Sequence, residues 1–142
     1  MGYKVFGDTI VMRIDPGAEI LKTVTECCEK ENITGAYITG VGATGYCRIA
    51  AGDELKGEYC SSEYNEKMEI IHLTGDVTVV NEKPSVHIHV TLAGRGGVEV
   101  HGGHLEEGVI FSNCEIIITK IPGAVLKKRP YPEFHNWMLL DF

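Results

Sequence analysis

The most informative stretch of the sequence is Val86-His87-Ile88-His89-Val90-Thr91-Leu92-Ala93, in which apolar residues alternate with polar ones. Successive side chains of a β-strand point to opposite faces, so this pattern predicts a strand with one apolar face and with both histidines on the other. Next-but-one residues of a strand lie roughly 7 Å apart, within which two imidazoles can converge on one metal ion. The stretch therefore predicts two ligands of a metal site.

A glycine-rich turn, Gly94 to Gly97, separates this strand from a second alternating run, Val98 to Leu105. The arrangement is typical of a β-hairpin, and a loop with an even number of residues would place His104 opposite His87. Directly opposed residues share a face, so we expect His104 to complete the site and His101 to lie on the apolar face. A loop of odd length, or a β-bulge at Gly102-Gly103, would instead place His101 on the face of His87 and His89.

The length and composition are those of one domain, which we place over residues 1–142. The first residues contain no apolar segment of the secretory kind, and no apolar run is long enough to span a membrane, so we expect a cytoplasmic protein. The 5 cysteines form no C-x-x-C pair. We therefore expect reduced thiols rather than a disulfide framework or a cysteine-rich zinc site.

The charge balance argues against nucleic-acid binding. The chain has 13 Lys and Arg against 20 Asp and Glu, a net charge of −7, which repels polyanions. The one basic cluster is Lys127-Lys128-Arg129, followed by Pro130 and Pro132. We interpret this cluster as part of a solvated loop rather than as a phosphate-binding patch.

Residues 3–14 predict either a strand pair or one bent strand, broken at Gly7-Asp8, and the clearest helix follows. Asp15 is the expected N-cap, with Pro16 at the first helical position, and Asn32 and Gly35 are the expected stop. The positions expected on the apolar face of this helix are Ile20, Leu21, Val24, Cys27 and Cys28.

The other strands are predicted from β-branched or alternating runs. Residues 54–67 are expected to form an edge strand or loop, and strands are expected on both sides of Gly75-Asp76. Residues 109–121 are almost continuously apolar, which predicts a central strand buried on both faces. Residues 137–140 are predicted to form the last strand.

The segment Gly40-Val41-Gly42-Ala43-Thr44-Gly45 matches the dinucleotide fingerprint G-x-G-x-x-G. That fingerprint requires its last glycine to open a helix, whereas residues 46–51 have the composition of another strand. We therefore interpret these glycines as a bend or bulge and predict no dinucleotide cofactor.

Five motifs follow one another along nearly the whole chain. They are Arg13-x-Asp15-Pro16-Gly17-x-x-Ile20, Ile38-Thr39-Gly40-Val41-Gly42, Leu73-x-Gly75, His87-Ile88-His89-Val90-x-Leu92-Ala93 and Gly102-Gly103-His104-Leu105. Their order and spacing resemble the PPC domain family, which plants and prokaryotes share. The resemblance implies an α+β fold, in which a strongly bent, mainly antiparallel mixed sheet packs on one principal helix. It also implies a homotrimer, and a metal at the histidine cluster in some prokaryotic members.

Plant members of the PPC family carry AT-hook segments, short basic arms that enter the minor groove, and act as nuclear DNA-associated proteins. The present sequence contains no Arg-Gly-Arg-Pro core of that kind. It therefore resembles a stand-alone prokaryotic-type member, and we expect no direct nucleic-acid binding.

Three functional hypotheses follow. The first is a metal-binding domain with His87, His89 and His104 as ligands. Neutral imidazoles suit zinc, and this ligand set leaves nickel, iron and copper as alternatives. Such a site would bind or convert a small molecule, but the sequence contains no convincing Ser-His-Asp or Cys-His set, so catalytic residues stay unassigned. The second is an assembly module without turnover, and the third a DNA-associated regulator without its own AT-hook.

A cupin is the alternative metal-binding fold with H-x-H on a strand. Its motif has a glutamate four or five residues after the second histidine, where this chain has Ala93 and Gly94. The prominent helix after the first strands also fits a jelly roll poorly. The cupin interpretation is therefore the weaker one.

Overall fold

The computed structural model describes residues 2–53 and 58–142, which form one α-helix and nine strands. The elements are β1 (Gly2–Phe6), β2 (Thr9–Ile14), α1 (Ile20–Lys30), β3 (Ala36–Asp53), β4 (Glu58–Tyr64), β5 (Met68–Val80), β6 (Lys83–Gly94), β7 (Glu99–Lys120), β8 (Lys128–Tyr131) and β9 (Trp137–Leu140). Two short 3-10 turns, Arg95–Gly97 and Pro132–Phe134, complete them. The helix is not long and apolar enough to cross a membrane.

The main sheet has seven strands in the order β1-β2-β7-β6-β5-β3-β4. In addition β3 pairs with β7, so β3, β5, β6 and β7 close into a ring. Every pairing between these strands is antiparallel, and β8 with β9 forms a separate hairpin. The predicted mainly antiparallel sheet with a single helix is thus confirmed, and strands dominate the fold more than the predicted α+β class implies. A mixed sheet also contains parallel pairing, and here one isolated parallel bridge, between Val79 and Lys127, is found among the described residues.

The core lies between α1 and the ring, because α1 packs on β6 and β7. The apolar face of β6 is buried, with Ile88 and Leu92 fully enclosed. The buried face of the helix consists of Ile20, Thr23, Val24, Cys27 and Cys28. The strand pattern and the helical spacing in the sequence therefore predict the two sides of the core correctly.

Cys27, Cys28, Cys47 and Cys114 are free thiols buried in the core, in agreement with the prediction of reduced thiols. Burial raises the pKa of the Cys28, Cys47 and Cys114 thiols to about 12, and burial also raises the pKa of Cys27. These thiols are protonated at neutral pH and serve as small apolar groups of the core.

The helix begins later than the sequence predicts. Its N-cap is Glu19, whose carboxylate accepts hydrogen bonds from the backbone N–H of Leu21 at 3.1 Å and of Lys22 at 2.6 Å. The predicted cap, Asp15 with Pro16, lies in a turn before it. Gly17 there has a left-handed φ of +81° and bonds through its backbone to β7, which prevents these residues from starting a helix.

Two segments predicted as broken are continuous strands. β5 runs unbroken through Gly75 and Asp76, and β3 covers the whole glycine-punctuated region. The register of β3 against β5 shifts between Gly40 and Gly42, which confirms the interpretation of these glycines as a bulge. No helix follows Gly45, so the dinucleotide fingerprint is absent as a structure.

β7 is central, as predicted, since it pairs with β2, β3 and β6. The prediction that it is buried on both faces is wrong for the chain by itself. Ile116 and Ile118 are enclosed, whereas the intervening Ile117 is 42% exposed. The uninterrupted apolar pattern of this strand therefore leaves one apolar face uncovered.

The remaining predictions are mostly confirmed. β1 and β2 form the expected hairpin, β4 is an edge strand, and β9 lies at residues 137–140. Positions 54–57 of the predicted edge segment lie outside the described residues. The placement of the basic cluster in a loop is wrong, because Lys128 and Arg129 belong to β8, where pairing with β9 orders them.

The bulge in β3 yields a stability prediction. A Cβ added to Gly42 would lie 2.5 Å from the backbone oxygen of Asn113, so Gly42→Ala must shift the β3–β7 pair. We expect a loss of about 1–3 kcal/mol in the free energy of unfolding, measured by urea denaturation. The control is Gly52→Ala in the same strand, where a Cβ would meet nothing within 4 Å. Equal midpoints for the two variants would contradict this packing.

Candidate metal centre

Three histidines converge on the polar side of β6 and β7. One nitrogen from each of His87, His89 and His104 lies within 4.8 Å of the other two. The ring centroids are 4.9 Å, 5.0 Å and 5.5 Å apart. Histidine, cysteine and carboxylate side chains are the usual metal ligands. Among the described residues, these three histidines form the cluster whose ligand atoms are close enough together to hold a metal ion.

The strand register produces this convergence, although in a different way from the prediction. His104 lies opposite His89 and not opposite His87, because the hairpin closes at Gly94 and Glu99. The difference is a shift of two residues, and side chains alternate with a period of two, so His104 stays on the expected face.

His101 lies outside the cluster. It is opposite Leu92, its ring stacks on Tyr64 with a centroid distance of 4.5 Å, and its Nε2 is 4.0 Å from a carboxylate oxygen of Glu99. The pairing of β6 with β7 is regular through the two glycines before His104. The alternative in which a bulge selects His101 is therefore not realised.

Asp76 supports the cluster from the neighbouring strand β5. It lies opposite His87, and its Oδ2 is 3.2 Å from His87 Nδ1. Its other oxygen, Oδ1, accepts a hydrogen bond from Lys128 Nζ at 2.8 Å. Burial disfavours ionisation of Asp76, but the hydrogen bonds from His87 and Lys128 outweigh it and lower its pKa. The carboxylate is therefore ionised at neutral pH.

Asp76 and Lys128 were not predicted from the sequence as residues of the site. A signal for Asp76 was present, because Asn81 and Glu82 form a two-residue hairpin turn with φ values of 50° and 64°. Such a turn pairs Val80 with Lys83, and this register places Asp76 opposite His87. Lys128 gave no comparable signal, because it arrives from the separate C-terminal hairpin.

The other two rings are held in the neutral form. Partial burial lowers the pKa of His89, and the charge that His87 can carry lowers it further. Burial and the neighbouring histidines likewise lower the pKa of His104. Neutral imidazole is the form that binds metal ions, so the surroundings favour metal binding over protonation.

A cleft of about 420 Å³ opens beside the cluster. His87 and His104 form one side of it, and Glu106 lies in its lining. The sequence alone does not predict that Glu106 lies in a pocket. Its Oε2 accepts from Arg48 Nε at 3.1 Å, so its charge is partly balanced. The rest of the lining consists of Ala50, Tyr59, Trp137, Met138 and Leu139.

The other acids near the histidines in sequence have partners of their own. Glu99 pairs with Arg95 at 2.9 Å, and Glu107 lies 3.5 Å from Arg48. A larger cleft of about 710 Å³ lies elsewhere, lined by β1, β2, β3 and β7 with His72 of β5, and none of the three clustered histidines lines it. We therefore place the candidate site at the smaller cleft, beside the three clustered histidines.

Comparison with known proteins places these features in a wider group. The family model described as the Plants and Prokaryotes Conserved (PCC) domain matches residues 1–122. A predicted DNA-binding protein of Bacteroides thetaiotaomicron is similar in structure, with a TM-score of 0.91 and 24% identity over 99% of this chain and 96% of that one. At this level of identity the likeness concerns the fold alone.

A second solved structure is the metal-containing protein AF0104 of Archaeoglobus fulgidus. It has a TM-score of 0.85 and 32% identity over 99% of this chain and 97% of its own. A curated relative is the bifunctional protein GlmU of Synechococcus sp. (strain JA-2-3B'a(2-13)), 24% identical over 123 residues. The match covers 85% of this chain but 18% of that protein.

The contact between Asp76 and His87 yields a prediction for the metal-free protein. A carboxylate only accepts hydrogen bonds, so the neutral His87 ring must carry its proton on Nδ1 and leave Nε2 free. Long-range proton–nitrogen NMR spectra at neutral pH should show this tautomer, and Asp76→Ala should shift His87 toward the Nε2-protonated form. Asp141→Ala, which removes the 2.8 Å partner of Arg129, should leave His87 unchanged. A His87 tautomer insensitive to Asp76→Ala would refute the contact.

Proposed function

Because the chain belongs to the Plants and Prokaryotes Conserved (PCC) domain family, we propose that it is a metal-binding domain whose centre is formed by His87, His89 and His104. The observation that carries this proposal is the convergence of one nitrogen from each ring within 4.8 Å. In a tetrahedral zinc site the ligand nitrogens are about 3.4 Å apart, which follows from zinc–nitrogen bonds of about 2.1 Å. Metal binding would draw the three nitrogens together to that separation.

Asp76 supports the same proposal. Histidine ligands usually donate their second ring N–H to a carboxylate or carbonyl, which fixes the ring and makes the ligating nitrogen more basic. Asp76 occupies this position beside His87, and Lys128 holds the carboxylate from its other side. A surface pair of histidines would not require such an arrangement. AF0104, a similar protein of known structure, is described as metal-containing.

We propose zinc as the metal, because three neutral imidazoles suit it and leave a fourth position for water or a ligand. Nickel, iron and copper also accept imidazole ligands and are the alternatives to test. A metal with an open position can polarise a carbonyl or activate water, and these histidines would hold it at the mouth of the cleft. The centre would thus serve binding or conversion of a small molecule.

The metal prediction separates the four histidines of the hairpin. Protein purified without added chelator should contain about one zinc per chain, and alanine at position 87, 89 or 104 should reduce it at least tenfold. His101→Ala is the matched control and should keep the metal, because His101 stacks on Tyr64 instead. Native mass spectrometry with elemental analysis measures both quantities. Metal loss in His101→Ala together with retention in His104→Ala would contradict the assignment.

We also propose that the domain is a homotrimer, as the family resemblance implies. The outer face of β1, β2, β7 and β3 exposes four large apolar side chains, Phe6, Val11, Val41 and Ile117, around the larger cleft. Contiguous apolar patches of this kind are typical of interfaces. A second copy of the chain is the occupant that we assign to this face, and it would cover the exposed side of β7.

Sedimentation equilibrium at low micromolar concentration tests the assembly. The expected mass is three times the 15.6 kDa of one chain. Ile117→Asp should yield monomers, since it places a charge in the proposed interface. Val98→Asp is the control, because Val98 is 86% exposed at the tip of the histidine hairpin and outside this face. A monomeric wild-type chain, or a trimeric Ile117→Asp variant, would exclude the proposed interface.

A DNA-associated role is the alternative that the name of the Bacteroides protein favours. The basic cluster supports it poorly. Lys128 is paired with Asp76 at 2.8 Å and Arg129 with Asp141 at 2.8 Å, so two of its three charges are already engaged. Under this alternative a partner protein would have to supply the contacts to phosphate.

We therefore predict no appreciable binding of duplex DNA by this chain alone. Non-specific affinity depends on about six to ten neutralised phosphates, and the net charge of −7 opposes close approach. Fluorescence anisotropy with a labelled duplex at about 0.15 M salt measures this directly. Saturable micromolar binding that weakens steeply with added salt would restore the DNA-associated role.

A further inference from the structure

The C-terminal hairpin of β8 and β9 forms an apolar wall next to the histidine cluster. Three consecutive residues of β9, Trp137, Met138 and Leu139, line the cleft together with Tyr59 on β4. Their exposed fractions are 57%, 46%, 36% and 65%. Large apolar side chains grouped around a concave site are typical of ligand pockets rather than of a solvated surface.

The wall is held in place relative to the histidines. Lys128, at the start of β8, is bonded through Asp76 to His87. The backbone N–H of Val79 donates to the oxygen of Leu126 at 2.7 Å, which fixes the hairpin to β5. At the same end of the hairpin, Asp141 N–H donates to Lys127 oxygen at 2.9 Å, which extends the pairing of β8 with β9. The wall and the metal-binding face thus share one support.

The charges around the cleft restrict what it can bind. None of the described residues that line it is a lysine or arginine, and its one acid, Glu106, is paired with Arg48. An anionic group could therefore be compensated only by the metal. The volume of about 420 Å³ is that of a site for a small molecule.

We propose that the centre binds small molecules with two parts: an oxygen-donor group that ligates the metal, and a flat apolar group that packs on Trp137 and Met138. The inference rests on the proposed metal centre and adds the class of ligand. The three histidines leave one coordination position for the oxygen donor. The aromatic ring of Trp137 provides a surface for a planar group at low entropic cost.

Two hydroxamic acids test this specificity, since they share the metal-binding group and differ only in the attached substituent. Acetohydroxamate carries a methyl group and benzohydroxamate a phenyl ring. Isothermal titration calorimetry of the zinc-loaded full-length protein should give at least about tenfold tighter binding of benzohydroxamate, as expected for burial of the ring. The zinc-free protein should bind neither compound.

Variants of the wall locate the effect. Trp137→Ala and Met138→Ala should each reduce the preference for benzohydroxamate at least threefold, while the affinity for acetohydroxamate changes less than twofold. Phe142→Ala is the matched control, since Phe142 is an aromatic residue of the same segment, is 99% exposed and does not line the cleft. It should preserve the preference.

The possible failures are distinguishable. If the protein takes up no zinc, the proposed function and this inference fall together. If zinc binds and both compounds bind with equal affinity, the metal centre stands and the assigned ligand class is wrong. If Trp137→Ala dissociates the oligomer and leaves the preference intact, the wall is covered by a second copy of the chain, which also overturns the inference.

Discussion

The register of β6 with the strands on its two sides is the constraint on which the candidate site depends. On one side His87 faces Asp76 of β5, and on the other His89 faces His104 of β7. Backbone hydrogen bonds fix both registers, and the buried Ile88 and Leu92 on the opposite face lock the orientation of the strand. A slip of one residue would turn the histidines into the core, so the packing of the fold and the geometry of the site are the same requirement.

The closure of the sheet adds rigidity to this arrangement. Because β3 pairs with both β5 and β7, the strands that carry the site belong to a ring without a free edge. Gly40 and Gly42 let β3 bend across both partners because they have no side chain. A Cβ at either position would meet the backbone of β7. Rigid strands position ligands more accurately than loops do, which suits the proposed metal centre of three rings.

Much of the site could be predicted from local pattern, because alternation in a strand determines the face of each side chain. For this reason the face of His104 was predicted correctly even though the predicted register was wrong by two residues. Interactions distant in sequence were missed. Lys128 reaches Asp76 from a segment 52 residues away, and no local pattern indicates that contact. The start of α1 was misplaced for a similar reason, since Gly17 and Ala18 pair with β7 instead of entering the helix.

We propose that three imidazoles of this chain bind one metal ion, and X-ray absorption at the zinc edge of the metal-loaded protein tests this. We predict a first shell of three nitrogen ligands at about 2.0–2.1 Å, with the outer-shell scattering of histidine rings and one further light atom. The buried thiols at Cys28, Cys47 and Cys114 should contribute nothing. A sulfur shell at about 2.3 Å, or a spectrum without imidazole scattering, would contradict the account.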